Sequence, residues 1–259
     1  MRLGVVTTGH GPRSEYAAYH RGLAAALGLT IDVMDEHILS PLEWDEIRQH
    51  LGEESEDRLG AHVHVPGATG NRLGDGWEHV YVKLDWATGY FQAAIDRLVA
   101  RGADMVLLCC ATRFADDALR CKVPLIKPAT LMLSAISDRI NGTDGQIRFG
   151  LMSSVGHGRQ DVQLWRDQSY ASRLDIDYEP FEGTIIPAAE RLAQRPHDIV
   201  VVWSYGLGMA PSDGQALSAR LEDLLGCPVL MPHRVAALHA LGLMTAGFDD
   251  RAFLAAGSR

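Results

Sequence analysis

The stretch Arg2-Leu3-Gly4-Val5-Val6-Thr7-Thr8 returns later in the chain as Arg148-Phe149-Gly150-Leu151-Met152-Ser153-Ser154. Each copy reads basic, apolar, glycine, two apolar residues, two hydroxyls. Two further blocks recur in the same order. Asp104-Met105-Val106-Leu107-Leu108-Cys109-Cys110 pairs with Asp198-Ile199-Val200-Val201-Val202-Trp203-Ser204, and Val123-Pro124-Leu125-Ile126-Lys127-Pro128 pairs with Cys227-Pro228-Val229-Leu230-Met231-Pro232. One such block would resemble any buried parallel strand. Three in a fixed order point to two topologically equivalent halves. We place residues 1–130 plus 232–259 in a first α/β half and 131–231 in a second.

Outward from these blocks, short β-branched runs alternate with longer amphipathic stretches, the pattern of an α/β protein with parallel sheets. Strands are expected at Leu3–Thr7, Thr30–Met34, Met105–Cys109, Pro124–Ile126, Ile147–Met152, Ile199–Trp203 and Pro228–Met231. Helices are expected at Ser14–Leu27, Pro41–His50, Thr88–Arg101, Thr130–Ile140, Gln160–Ser169, Pro187–Gln194, Ser212–Leu225 and Arg234–Leu241. Pro41 and Pro187 suit first turns, and Ser212 and Thr130 suit caps. The stretch Gly52–Gly76 follows no period and holds Glu53, Glu54, Glu56, Asp57 and several glycines, so it reads as a long loop or hairpin of the kind that covers a site.

The composition narrows the function classes. The chain has 259 residues, 47% hydrophobic and 22% charged, and a net charge of −9. That acidic balance argues against a nucleic-acid or anionic-membrane partner. No apolar run approaches the ~18 residues of a membrane helix, and the N-terminus lacks a signal-peptide pattern. Cys109, Cys110, Cys121 and Cys227 are too few for a secreted disulfide scaffold. A cytoplasmic protein with reduced thiols is expected.

Ligands of open parallel sheets bind beyond the carboxyl ends of the strands. The first half brings Thr7, Thr8 and Cys110 to such ends, and the second brings Ser153, Ser154 and Ser204. Across a pseudo-two-fold axis, Cys110 and Ser204 occupy equivalent places on opposite sides of one cleft. Hydroxyls and backbone N–H groups around them, from Gly9, Ala111, Thr112, Tyr205 and Gly206, suit a small carboxylate. A loop or helix start after Cys110, with Arg113 nearby, would lower the thiol pKa. Strand alternation turns Cys109 away, so it, Cys121 and Cys227 read as packing thiols. Arg13 reads as a carboxylate anchor or a helix-capping arginine, His10 as a turn residue before a base, and Lys83 as a surface residue.

The residues resemble a known family. Thr7-Thr8-Gly9-His10-Gly11-Pro12-Arg13-Ser14 resembles the Thr-Ile-Gly-x-x-Pro-Arg signature of AroM-like proteins. The block Asp104–Phe114 resembles their Leu-Leu-Cys-Thr-Gly-x-Phe strand end, with Cys110 on the cysteine, and Asp198–Gly206 resembles their Asp-Cys-x-Gly-Tyr. Leu39-Ser40-Pro41-Leu42-Glu43-Trp44-Asp45-Glu46-Ile47 extends the likeness. AroM-like proteins look like members of the aspartate/glutamate racemase fold superfamily. The resemblance implies two pseudo-symmetric halves, each a short, mainly parallel sheet flanked by helices, with the site in the cleft between them. It implies no cofactor, and either two cysteines, as in racemases, or one, as in decarboxylases. Families of this fold are often dimers, so a homodimer is compatible.

The sequence departs from a two-cysteine pattern at Ser204. A serine hydroxyl is a far weaker acid than a thiol and needs a neighbouring base. One-sided chemistry through Cys110 follows more easily, with the Trp203–Gly208 loop as an oxyanion pocket. Competing motifs are thin. His62-x-His64 with Asp75 or His79 lacks a third zinc ligand of convincing spacing, so no metal is expected. No P-loop or dinucleotide fingerprint is present, and Ser204 lacks a Gly-x-Ser-x-Gly frame. The expectation is a cofactor-independent isomerase or lyase acting on a small carboxylate through Cys110 opposite Ser204. The alternatives are a non-catalytic carboxylate binder, or a cysteine hydrolase using His10 or His157.

Overall fold

In the computed structural model, which describes residues 1–71, 73–209 and 216–245, the three repeated blocks become equivalent strands. The first part of the chain runs β1 (Arg2–Thr7), α1 (Ser14–Ala26), β2 (Asp32–His37), α2 (Trp44–Ile47), β3 (Arg58–His64), β4 (Trp77–Lys83), α3 (Leu84–Ala100), β5 (Met105–Cys109), β6 (Leu125–Ile126) and α4 (Pro128–Asn141). The second runs β7 (Ile147–Ser154), α5 (Gly158–Arg166), β8 (Leu174–Phe181), α6 (Ile186–Leu192), β9 (Ile199–Val202), α7 (Leu217–Leu225), β10 (Val229–Leu230) and α8 (Pro232–Thr245). One parallel sheet has the order β2-β1-β5-β6 and the other has β8-β7-β9-β10.

The equivalence extends to register. Leu3 pairs with Met105 across β1–β5, and Phe149 with Ile199 across β7–β9. The Asp104 carboxylate accepts the Arg2 N–H at 2.8 Å, and Asp198 accepts the Arg148 N–H at 2.9 Å. Gly4 and Gly150 hold the same strand position because a helix packs on each. A methyl group there would lie 3.0 Å from Leu98 of α3 or 2.8 Å from Leu192 of α6.

Strand alternation sends β5 side chains to two layers. Val106, Leu108 and Cys110 join α3 and the β3–β4 hairpin in one core, while Met105, Leu107 and Cys109 join α1 and α8 in another. The closing helices are exchanged between the halves. Met132, Ile136 and Ile140 of α4, which follows the first sheet, pack on Phe149, Leu151 and Val201 of the second. Ala236, Ala240 and Leu241 of α8, which follows the second sheet, pack on Leu3, Val5 and Leu107 of the first.

The hairpin is antiparallel, with His62 opposite His79 and His64 opposite Trp77. It is moored to the end of β1. The His10 N–H donates to the His62 carbonyl at 2.8 Å, and the His64 N–H donates to His10 Nδ1 at 3.0 Å. With Nδ1 an acceptor, Nε2 carries the proton and donates to the Leu42 carbonyl at 3.1 Å. Burial lowers the His10 pKa, in keeping with a neutral ring. Gly9 makes the mooring feasible: its φ is +93°, and a Cβ would lie 2.0 Å from the His62 carbonyl oxygen. A Gly9→Ala protein should lose about 1–3 kcal/mol from backbone conformation alone, before the clash is counted. Urea unfolding will show this, and proteolysis of the hairpin should accelerate.

Several expected elements differ in detail. The strand expected at Thr30–Met34 lies at Asp32–His37. The Pro41–His50 helix shrinks to α2 and a following 3-10 turn, so Pro41 precedes it. Thr130 is not a cap, because α4 begins at Pro128, a residue suited to the first helical position. The helix expected at Ser212–Leu225 is described from Leu217, with Ser212 outside the described residues. Strand β8 was not expected. Asp175, Asp177 and Glu179 interrupt its apolar positions, which an edge strand tolerates because one side faces solvent. Among the described residues no helix is long and apolar enough to cross a membrane.

Candidate functional site in the cleft between the halves

The carboxyl ends of β5 and β9 face a cleft of about 1370 Å³. That exceeds the ~300–1,000 Å³ of common small-molecule sites, so polar side chains rather than close enclosure must select a ligand. Thr8, Cys110, Ala111, Thr112, Ser154, Ser204, Tyr205 and Gly206 all line it. Thr7, Gly9, Arg13 and Ser153 do not line it. Alternation divides each hydroxyl pair: Thr8 and Ser154 border the cleft, while their neighbours are fully buried. Thr7 Oγ1 is spent on His37 Nδ1 at 2.6 Å, and Ser153 Oγ donates to the Tyr178 hydroxyl at 3.3 Å.

Arg13 is 2% exposed, with Nη1 buried and without a hydrogen-bond partner among the described residues. Its guanidinium lies 5.0 Å from the centre of the Tyr16 ring and donates to Glu15 Oε1 at 2.5 Å. Tyr205 borders the cleft with its hydroxyl engaged, 3.2 Å from His20 Nε2 and hydrogen-bonded to the Cys109 thiol. The Ser204 N–H is bonded to the Val202 carbonyl at 2.9 Å, which removes it from the expected oxyanion pocket.

Cys110 is 5% exposed at the end of β5, followed by a loop rather than a helix. The Thr112 N–H and hydroxyl pull its pKa down, but burial is the larger effect and pushes the thiol up to about 12. Arg113 is exposed on that loop. The expected lowering of the thiol pKa is therefore reversed, because desolvation outweighs the hydrogen bonds.

Sequence reasoning missed a second wall, supplied by the hairpin. Arg58 of β3 is 9% exposed and stacks 4.5 Å from the centre of the Tyr81 ring of β4. It donates to the Gly156 carbonyl in the second half. Tyr81 reaches Ser154 Oγ at 3.0 Å and meets the His157 ring edge-on at 4.6 Å. Gln160 donates to Asp57 at 3.3 Å. The unpatterned stretch thus clasps the far half over the cleft, and Arg58 is a buried guanidinium lining the cleft. Lys83 pairs with Glu56 at 2.8 Å instead. His157 is held down to about 4, by burial first and then by His79 and Arg58. His10 does not line the cleft, which leaves His157 as the candidate base of the two that a cysteine hydrolase could use. No three His, Cys, Asp or Glu side chains among the described residues are grouped to hold a metal ion.

Residues 3–243 match the protein family described as AroM protein. No curated protein matches the sequence. Among solved structures, an allantoin racemase from Klebsiella pneumoniae superposes with a TM-score of 0.53 at 12% identity, covering 95% of this chain and 89% of that one. A candidate Asp/Glu racemase from Yersinia pestis superposes at 0.52 and 13% identity, covering 93% and 98%. At such identities the likeness is one of fold.

Proposed function

The chain belongs to the AroM protein family, and from that premise and the cleft's geometry we propose a cofactor-independent isomerase or lyase that moves a proton at the α-carbon of a small carboxylate through Cys110. The observation that carries the reading is the paired register of the two sheets. It sets Cys110 and Ser204 at equivalent strand ends lining one cleft. A group at each such end can address opposite faces of a bound carbon. Thr8, Thr112 and Ser154 supply hydroxyls for carboxylate oxygens, and Arg58 supplies the cation that Arg13 does not. Ser204 is the partner position, suited to hydrogen-bonding a developing enolate.

The thiol's raised pKa makes Cys110 a proton donor in its resting state. The same burial favours a second reading, a carboxylate-binding protein that keeps the cleft without turnover. Exchange of the α-proton in D2O distinguishes them. L-Aspartate, L-glutamate, L-malate and allantoin serve as probes, the first two and the last chosen from the names of the structural relatives. Proton NMR should show loss of the α-hydrogen signal from at least one probe with the wild-type protein. No exchange with any of them would leave the binding reading.

A further inference from the structure

Asp161 is a carboxyl that the scheme around Cys110 leaves unused. It stands in the first turn of α5, just beyond β7, and lines the cleft at 7% exposure. Its Oδ2 has no hydrogen-bond partner among the described residues. Ser153 Oγ reaches the carboxyl, and burial, only partly offset by that hydroxyl, pushes its pKa up to about 8. The groups that face it are Ser153 from β7, the Tyr178 hydroxyl from β8 and Tyr81 from β4. The nearby Arg58 is turned to the Tyr81 ring and the Gly156 carbonyl.

The position matters as much as the burial. β7, which leads into α5 and Asp161, pairs with β9 as far as Met152 opposite Val202, and β9 leads into Ser204. The Asp161 carboxyl therefore belongs to the second-half wall, where the repeat calls for a partner to Cys110. A serine hydroxyl cannot surrender a proton at neutral pH without a base, whereas a buried carboxyl titrates in the working range.

We propose that Asp161 is the proton-carrying group on the second-half side of the cleft, exchanging a proton with the α-carbon of a bound small carboxylate on the face opposite Cys110. This rests on the function proposed above. As a carboxylate, Asp161 takes the α-proton, and the C–H electron pair passes into the neighbouring carbonyl to form an enolate. The Cys110 Sγ–H then gives its proton to the other face, leaving a thiolate. The opposite enantiomer runs the same steps backward: the thiolate takes the proton, Asp161 returns its own, and both groups are reset. No atom is oxidised or reduced.

The test compares wild type with Asp161→Asn on the same four probes, reading α-exchange by NMR in D2O and configuration by chiral chromatography. The variant should keep its circular dichroism and lose inversion by at least ~100-fold. The limb of the wild-type pH profile near 8 should vanish with it. In 13C-labelled protein without ligand, the carboxyl signal absent from the variant should titrate near 8. Wild-type inversion in Asp161→Asn, or titration of that signal in the ordinary aspartate range, overturns the assignment to Asp161 and leaves Cys110 chemistry standing. Absence of exchange by the wild type removes the parent reading and this one together.

Discussion

A Cys110→Ala protein should fold as the wild type does and lose about 10²–10⁴-fold of its α-proton exchange, the usual contribution of a positioned acid or base. The two halves of this expectation rest on different observations. The side chain is 5% exposed and packs with Phe91 and Phe114, so losing one sulfur atom should cost only about 1 kcal/mol. Its chemistry has no local substitute: the Thr112 hydroxyl beside it titrates far above a thiol, and Cys109 points into the layer of Tyr205 and α8. Cys227→Ala is the control, since that thiol packs near α6 and α7 and does not line the cleft. Exchange per second at matched protein concentration, with urea unfolding alongside, checks both halves. Wild-type exchange in Cys110→Ala would sink the proposed function.

Asp161→Asn should change the pH dependence of stability by several kcal/mol. The folded carboxyl holds its proton to about 8, while the unfolded one releases it near 3.8. Between those values the folded state binds one proton more than the unfolded, so stability falls as pH rises and is complete only below the unfolded value. At ~1.36 kcal/mol per pH unit, the whole interval amounts to on the order of 5 kcal/mol. Buried His20, His157 and His233, each held down to about 4 chiefly by burial, act in the opposite direction. Their contribution is complete above the unfolded value of 6.5 and is lost as pH falls toward 4. The wild type should therefore be most stable near pH 6.5 and lose on the order of 2 kcal/mol by pH 8. The variant should stay flat across that upper window. Urea unfolding at the two pH values measures the difference, and equal slopes in both proteins would refute the buried neutral acid. A substitution that stabilises while abolishing turnover is the mark of a residue held for chemistry.

The strand ends were legible because parallel strands buried on both faces have little freedom in composition. Repeated at the same spacing from glycine and aspartate, they declare their equivalence. What escaped lies where burial comes from tertiary contacts. Arg58 and Tyr81 sit in a hairpin whose sequence has no clear period, and tertiary contacts, its mooring at His10 among them, carry them into the cleft. Asp161 stands in Gly158–Arg166, a polar helix by composition, and nothing local says that this acid faces inward. Arg13 stood out in a motif yet serves Tyr16 and Glu15. Of each hydroxyl pair, a period of two could have selected Thr8 and Ser154 once the cleft side was known.

The exchanged helices α4 and α8 tie the two halves into one folding unit. α8 lies with α1 over one face of the first sheet, and α4 lies with α5 over one face of the second, so each sheet takes part of its cover from the stretch of chain that follows the other. Because both walls of the cleft belong to one polypeptide, they need not match residue for residue. A thiol stands at Cys110, a hydroxyl at Ser204 and a carboxyl at Asp161.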